Sequence, residues 1–369
     1  MRKMLALILV VGIIFTMCAC AAKQKESETT SVADGAVEKD FHIRSGIQMT
    51  GISAAVYYAD KEGMFTEKGL NNEIIMFSNG PAINEALGAG EVDVLTMGAF
   101  PAVNGCLAYG ERIVAWLEND NYNLKLFARS DSDIVAAGKG NLDGAPEVYG
   151  TADTWKGKEI LITSGVSNHF AAAAILGLFG LDETDVSLVS MDGPSATAAF
   201  MTGEADVLCV WDPLWAEVAA SDEYVCVGAL EDTEQSMYCY ITASEEMCNE
   251  HPDELVAYLE ALLESQTILA GDDDLYRSTM YTFMSEYSDV SEEVAATSAD
   301  LRPQIDYAAH KEIFTPDDSG VSQMENVAYT VAEFMVANGT IEESDLEILR
   351  ENKFVDPSFL MQAIENLEG

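Results

Sequence analysis

Residues 158–215 read KEILITSGVSNHFAAAAILGLFGLDETDVSLVSMDGPSATAAFMTGEADVLCVWDPLW. The run 159–163 is short and apolar, which predicts a buried strand. Ser164-Gly165-Val166-Ser167-Asn168 follow, and an alanine-rich helix runs on to about Phe179, with Gly180 placed for a left-handed C-cap. A second strand is expected over 186–190. Asp192-Gly193-Pro194-Ser195 then open a second helix that ends near Gly203. A third strand over 205–210 delivers Trp211-Asp212-Pro213 at its carboxyl end. Three strands alternating with two helices make a parallel α/β unit. Such sheets bind ligands beyond the carboxyl ends of their strands. All three polar loops fall on that edge.

The first half of the chain carries an echo. SNGPAINEALGAGEVDVLTMGAFP, from Ser78, matches MDGPSATAAFMTGEADVLCVWDP, from Met191. Each is a Gly-Pro loop, a helix, Gly-Glu-x-Asp-Val, a strand and a proline-containing exit. Around the first copy, strands are expected over 42–48, 73–77, 94–96 and 112–117, and Lys125–Arg129 reads as a strand leaving this unit. Residues 130–156, with Asp, Gly and Pro throughout, read as a long irregular excursion. Strands over 224–229 and 237–242 follow, the latter returning to the first lobe. From Ser244 the pattern is helical, with an amphipathic helix over 251–268 and others near 276–286, 291–299, 321–337 and 358–367. Two similar lobes with facing loops imply a cleft between them. The domain reading is 1–19 leader, 20–40 tether, 41–128 first lobe, 129–238 second lobe, and 239–369 return to the first lobe with C-terminal helices.

The chain has 369 residues, 19 basic against 63 acidic, for a net charge of −44. That balance argues against nucleic acid, which needs a basic footprint, and against electrostatic adhesion to anionic membranes. It describes a solvated acidic surface. The N-terminus is more specific. Arg2 and Lys3 precede an apolar run over 4–17, too short for a stable bilayer span and suited to a secretory signal. The small-residue break holds Cys18-Ala19-Cys20. It resembles a bacterial lipobox, with Cys20 the expected lipidation site because Ala19 precedes it. A polar tract lacking aromatics follows and reads as a flexible tether. A lipid anchor on the cell membrane, a tether and an extracytoplasmic body are therefore expected. Five further cysteines, Cys106, Cys209, Cys226, Cys239 and Cys248, are odd in number and show no C-x-x-C spacing, so neither a disulfide framework nor a zinc site is expected. Cys209, Cys226 and Cys239 lie in apolar strand-like runs and are expected to be buried.

The cleft loops offer Thr50, Ser53, Ser78, Asn79, Ser164, Ser167, Asn168, His169, Ser195 and Thr197, with backbone amides at helix starts. Uncapped amides at the positive end of a helix dipole bind anions without lysine or arginine, and these loops hold no basic residue. The same serines also read as plain N-caps. Trp211 at a strand end can wall a ligand's apolar part, and Asp212 can accept from an amine or organise its loop. His169 has no Ser/Asp partner pattern for a general base. No G-x-S-x-G, H-E-x-x-H, Walker or dinucleotide fingerprint is present. Neither a catalytic residue, nor a metal, nor a cofactor is expected.

Four stretches, AVYYADKEGMFTEKGL, NEALGAGEVDVLTMGAFP, WKGKEILITSGVSNHF and AFMTGEADVLCVWDP, occur in this order. Together they resemble the substrate-binding proteins of nitrate/sulfonate/taurine-type ABC importers, over roughly residues 42–270. The resemblance implies an α/β fold, two-lobed, of the type II periplasmic-binding-protein kind, with the ligand cleft between lobes and helices at the C-terminus. It implies a monomer that closes on a small solute and docks to a permease with its ATPase. By motif position it places ligand contacts on Thr50, Gly51 and Ser53; on Ser78 and Asn79; on Gly98 and Phe100; on Ser164, Gly165, Ser167, Asn168 and His169; and on Trp211 and Asp212. The segment 130–156 departs from the compact family pattern. The expected ligand is a small anion: an aliphatic sulfonate, taurine, nitrate or bicarbonate. The alternative is a heteroaromatic thiamine-pyrimidine precursor stacked on Tyr57, Tyr58, Phe100 or Trp211. A pyrimidine-synthase-like enzyme would need a cysteine-rich, histidine-bearing motif that this sequence lacks.

Overall fold

A computed structural model describes residues 40–369. The leader expected over 1–19 and the tether expected over 20–40, with Cys20, lie outside the described residues except for Asp40. Among the described residues no helix is long and apolar enough to cross a membrane. The described residues hold ten strands: β1 Phe41–Gln48, β2 Leu70–Phe77, β3 Val94–Met97, β4 Arg112–Asn119, β5 Lys125–Arg129, β6 Glu159–Ile162, β7 Ser187–Ser190, β8 Val207–Val210, β9 Tyr224–Ala229 and β10 Tyr238–Ala243. They form two five-stranded sheets, ordered β2-β1-β3-β10-β4 and β7-β6-β8-β5-β9. β1 runs parallel to β2 and β3, and β6 parallel to β7 and β8. Each sheet also receives one antiparallel strand from the other part of the chain, β10 in the first and β5 in the second.

The echoed motif has a physical basis in each sheet. Asp93 accepts from the backbone N–H of Arg44 at 2.8 Å, and its own N–H donates to Arg44 O at 2.8 Å. Asp206 does the same for Glu159, at 3.0 and 2.9 Å. The aspartate of Gly-Glu-x-Asp-Val therefore clamps the parallel neighbour strand just before the paired residues begin, which sets the register of β3 on β1 and of β8 on β6. The glycine of the Gly-Pro loop is equally determined. A Cβ at Gly80 would stand 2.4 Å from Pro101 Cγ, and one at Gly193 would stand 2.6 Å from Leu214 Cδ1. In both lobes the helix start packs directly against the exit of the next strand; the rigid Pro101 ring admits only glycine at Gly80, while at Gly193 a Cβ would have to push aside the end of the Leu214 side chain.

β8 is buried on both faces. Val207 and Cys209 join the main core, while Leu208 and Val210 join a smaller cluster with Phe127, Phe200 and Trp215. That double burial is the reason the strand reads as a continuous apolar run. The C-terminal helices belong to the first lobe. Helix Pro252–Ala270 lies on it, with Ser265 Oγ donating to Ala55 O at 2.7 Å and the Tyr258 ring stacked on Phe65.

Several expectations need correction. β5 pairs with β8 and β9, so it belongs to the second sheet; the chain crosses between lobes over 120–124 and 230–237. Residues 130–156 hold two short helices, Asp133–Ala137 and Ala152–Trp155. They tuck Ile134, Val148 and Trp155 into the core, and Trp155 Nε1 donates to Tyr149 O at 2.9 Å. Cys226, on the edge strand β9, is exposed, whereas Cys209 and Cys239 are buried.

Candidate functional site

A cavity of about 410 Å³ lies where the strand exits of both lobes meet. β1 contributes Gln48 and Thr50, β2 Ser78 and Asn79, and β3 Gly98; β6 contributes Thr163 and Ser164, β7 Asp192, and β8 Trp211. Four helices begin on this cavity: Gly80–Gly88, Ala99–Tyr109, Ser167–Leu178 and Gly193–Met201. Two have side-chain caps. Asn79 accepts from Ala82 N–H and Asp192 from Ser195 N–H, both at 3.0 Å. The other two begin at Gly98 and Val166 with no side-chain cap. These uncapped ends belong to opposite lobes and face each other, since a Cβ at Gly98 would lie 3.6 Å from Ser167 Oγ. Free amides and two converging dipole ends therefore share one side of the cavity.

Of the residues expected at the site, Thr50, Ser78, Asn79, Gly98, Ser164, Ser167 and Trp211 line the cavity. Gly51, Ser53, Phe100, Gly165, Asn168, His169 and Asp212 are not on its wall, and most have a framework role instead. Gly51 leaves room for Arg302, whose Cδ would be 2.9 Å from an added Cβ. Ser53 is fully buried, hydrogen-bonded to Thr96 Oγ1 at 2.8 Å. Phe100 packs edge-on against Phe170 and Phe334 in the core that joins the lobes. Gly165 supplies the left-handed turn, φ +75°, that brings Ser167 to its helix start. Asn168 Nδ2 donates to Cys209 O at 2.6 Å and its Oδ1 accepts from Thr163 N–H at 3.3 Å, tying the β6 exit to β8. His169 contacts Glu183 at 2.9 Å and the Phe334 ring. Ser195 and Thr197 lie off the wall too, with Thr197 Oγ1 donating to Gly193 O. Among the stacking candidates Trp211 alone reaches the cavity; Tyr57 is buried and donates to Glu286.

The floor holds residues that the loop motifs did not disclose: Asp120 and Asn123 on the first crossover, Cys239 on β10, and Arg302. The Arg302 side chain is 1% exposed and sits among three carboxylates. It contacts Glu118 and Asp212 directly, with Asp120 Oδ1 3.5 Å away. Asn123 links the group: its Nδ2 donates to Asp120 at 3.1 Å, and its Oδ1 accepts from Asp212 N–H at 2.9 Å. Burial pushes Asp120 up to about 6, and burial with the Asp120 charge pushes Asp212 up to about 8. Burial brings Arg302 down to about 9, leaving it charged at neutral pH. At neutral pH Asp212 therefore retains a proton that an isolated carboxylate would lose. Glu118, Asp120 and Cys239 bring potential metal-ligand atoms within 4.8 Å of one another. The guanidinium already stands against both carboxylates, and burial holds the Cys239 thiol well above its usual range. That donor set is an arginine cage in which the cation is already supplied.

The family model of the NMT1-like family matches residues 43–282. The chain belongs to the NMT1-like family. Among its relatives, a Brachyspira hyodysenteriae protein named provisionally as an ABC transporter periplasmic binding protein is 25% identical, over 98% of each chain. A Bacillus subtilis protein named provisionally as an aliphatic sulfonates-binding protein is 25% identical over 69% of this chain and 70% of its own. Among solved structures, the periplasmic aliphatic sulphonate binding protein SsuA from Escherichia coli superposes with a TM-score of 0.67. It shares 17% identity and covers 84% of this chain and 97% of its own. The periplasmic nitrate-binding protein NrtA from Synechocystis PCC 6803 has a TM-score of 0.65 at 14% identity, covering 90% of each chain. This NMT1-like protein thus has the two-lobed α/β fold of periplasmic binding proteins, as its motifs implied.

Proposed function

We propose that this NMT1-like protein is the extracytoplasmic solute receptor of an ABC importer and that it captures a small oxyanion of the sulfonate type. The observation that carries the ligand reading is the pair of uncapped helix starts at Gly98 and Val166, one from each lobe, on a single cavity. An oxyanion between them accepts from both lobes at once, so binding favours closure about the crossovers at 120–124 and 230–237. Ser164 adds a hydroxyl donor, Ser167, whose hydroxyl is engaged by the Asp120 carboxylate, offers its backbone amide, and Trp211 walls the solute's apolar part. The names given to its relatives support the transport role. The role is binding and delivery to a permease and its ATPase, with the solute released unchanged. The chain acts as a monomer, held at the membrane through lipidated Cys20. The heteroaromatic reading keeps Trp211 as its only stacking surface.

Thermal unfolding of the full-length chain against nitrate, bicarbonate, ethanesulfonate, 2-aminoethanesulfonate and a substituted pyrimidine tests the ligand. A solute bound only by the folded form raises the midpoint by mass action. A concentration-dependent rise with a sulfonate is expected; a rise with the pyrimidine alone would overturn the oxyanion reading. Palmitate labelling that survives Cys20→Ala would overturn the anchor.

A further inference from the structure

The two uncapped helix starts that face each other on the cavity share a set of rings off its wall. Phe100 is the second residue of helix Ala99–Tyr109 in the first lobe, and His169 and Phe170 are the third and fourth of helix Ser167–Leu178 in the second. None of the three lines the cavity. A ring from a third element joins them. Phe334, on helix Gln323–Ala337, lies edge-on to Phe100 at 5.8 Å and 84° and to Phe170 at 5.0 Å and 84°. It meets the His169 ring at 5.7 Å and 80°. Edge-to-face rings attract at such separations. Phe100 and Phe170 also touch directly, at 6.3 Å, and Glu183 holds His169 at 2.9 Å. Helix Gln323–Ala337 is anchored on the first lobe: it packs along helix Ala99–Tyr109, and Gln323 Nε2 donates to Tyr238 OH on β10 at 3.0 Å. Phe334 therefore carries first-lobe packing onto the second lobe, within the first turns of both helices. Phe100 and Phe170 are buried whereas Phe334 is half-buried, so its ring fills the seam between lobes.

We propose that Phe334 is a positioning residue for solute capture: its ring fixes the separation and angle of the helix starts at Gly98 and Val166, so that an oxyanion meets amides from both lobes already aligned. Donors held in the bound arrangement bind more tightly than donors that must first be brought together. The crossovers at 120–124 and 230–237 are covalent and leave the lobes free to rotate; the ring joint sets where the helix starts sit as they do so. The inference rests on the oxyanion reading for its effect on affinity, whereas the joint itself stands on contacts that need no solute.

Hydrogen exchange followed by mass spectrometry on the full-length chain, without solute, reads the joint. Phe334→Ala should speed exchange of the amides over 170–174, in the second lobe, by about 2- to 30-fold, the range for a packed contact that couples two elements. Calorimetric titration with ethanesulfonate should show affinity weakened by a similar factor, at a temperature where the variant is fully folded. Phe334→Leu, which refills most of the volume, should recover most of both effects. Exchange changes confined to helix Gln323–Ala337 and its first-lobe neighbours would overturn the inference. So would unchanged affinity for ethanesulfonate, because a purely structural ring lowers the unfolding midpoint and moves neither readout. If ethanesulfonate fails to bind the unmodified protein, the oxyanion reading falls, and the exchange measurement alone decides the joint. Should Phe334→Ala fail to fold, Phe334→Leu is compared with the unmodified protein in the same assays; a smaller shift of the same sign is expected, and no shift would overturn the inference.

Discussion

Replacing Arg302 by Met removes the single cation from a cage of three carboxylates while retaining most of the side-chain volume. The side chain is 1% exposed and contacts Glu118 and Asp212, with Asp120 nearby. Removing one partner from a buried ionic group typically costs about 3–5 kcal/mol. Here the cost depends on pH. Asp120 and Asp212 have folded-state values raised to about 6 and about 8. A raised carboxyl contributes stability that is fully present below its unfolded value and lost as pH rises through the folded one. Without the guanidinium both values rise further, so the variant keeps its protons and is spared at low pH. Urea unfolding followed by tryptophan fluorescence at pH 8 and pH 5 reads the difference. We expect a loss of about 3–5 kcal/mol at pH 8 and roughly half of that or less at pH 5. An equal loss at both pH values, or a loss under about 1 kcal/mol at pH 8, would refute the cage as described.

Three further outcomes follow from the framework. Gly80→Ala and Gly193→Ala each force a Cβ into the next strand's exit and should destabilise by about 1–3 kcal/mol. Gly193→Ala should also weaken solute binding, because its Cβ would stand 3.0 Å from the Trp211 ring; unchanged binding would remove Trp211 from the site. Asp93→Ala strips the clamp from β1 and should lower the urea midpoint, at a cost of about 1–3 kcal/mol, with faster amide exchange at Arg44. Glu111 is buried, its carboxyl pushed well up by desolvation, with Thr242 Oγ1 3.2 Å away. Its contribution is complete below the ordinary glutamate range and falls as pH rises, so Glu111→Gln should gain on the unmodified protein with increasing pH. Parallel stability profiles from pH 5 to 9 would contradict that.

Much of the architecture was legible because its signals are local. The alternation in 158–215 and the Gly-Glu-x-Asp-Val echo place β6, β7 and β8 beside β1, β2 and β3, since the clamping aspartates act on the adjacent parallel strand. β5 was misplaced because its affiliation is set by Leu208 and Cys209, some eighty residues further on, and Lys125–Arg129 alone looks like any short strand. Helices Glu245–Glu250, Tyr307–Phe314 and Glu343–Glu351 fall in the stretch that reads only as generally helical, too short for their bounds to stand out. The cavity wall followed from loops at strand exits. Its floor did not: Arg302 meets Asp212 and Glu118 across 90 and 184 positions of chain, a purely tertiary pairing. The one available hint was a basic residue before Pro303 in a chain with only 19.

The central claim is that this NMT1-like protein binds one solute and leaves it unchanged. Titrating the full-length chain with 2-aminoethanesulfonate, then recovering the solute and recording its NMR spectrum, tests both halves together. We expect saturation at one solute per chain and an unaltered spectrum. A changed spectrum after incubation with substoichiometric protein would show turnover and contradict the receptor assignment; absence of saturable binding to any member of the sulfonate and nitrate panel would contradict the ligand.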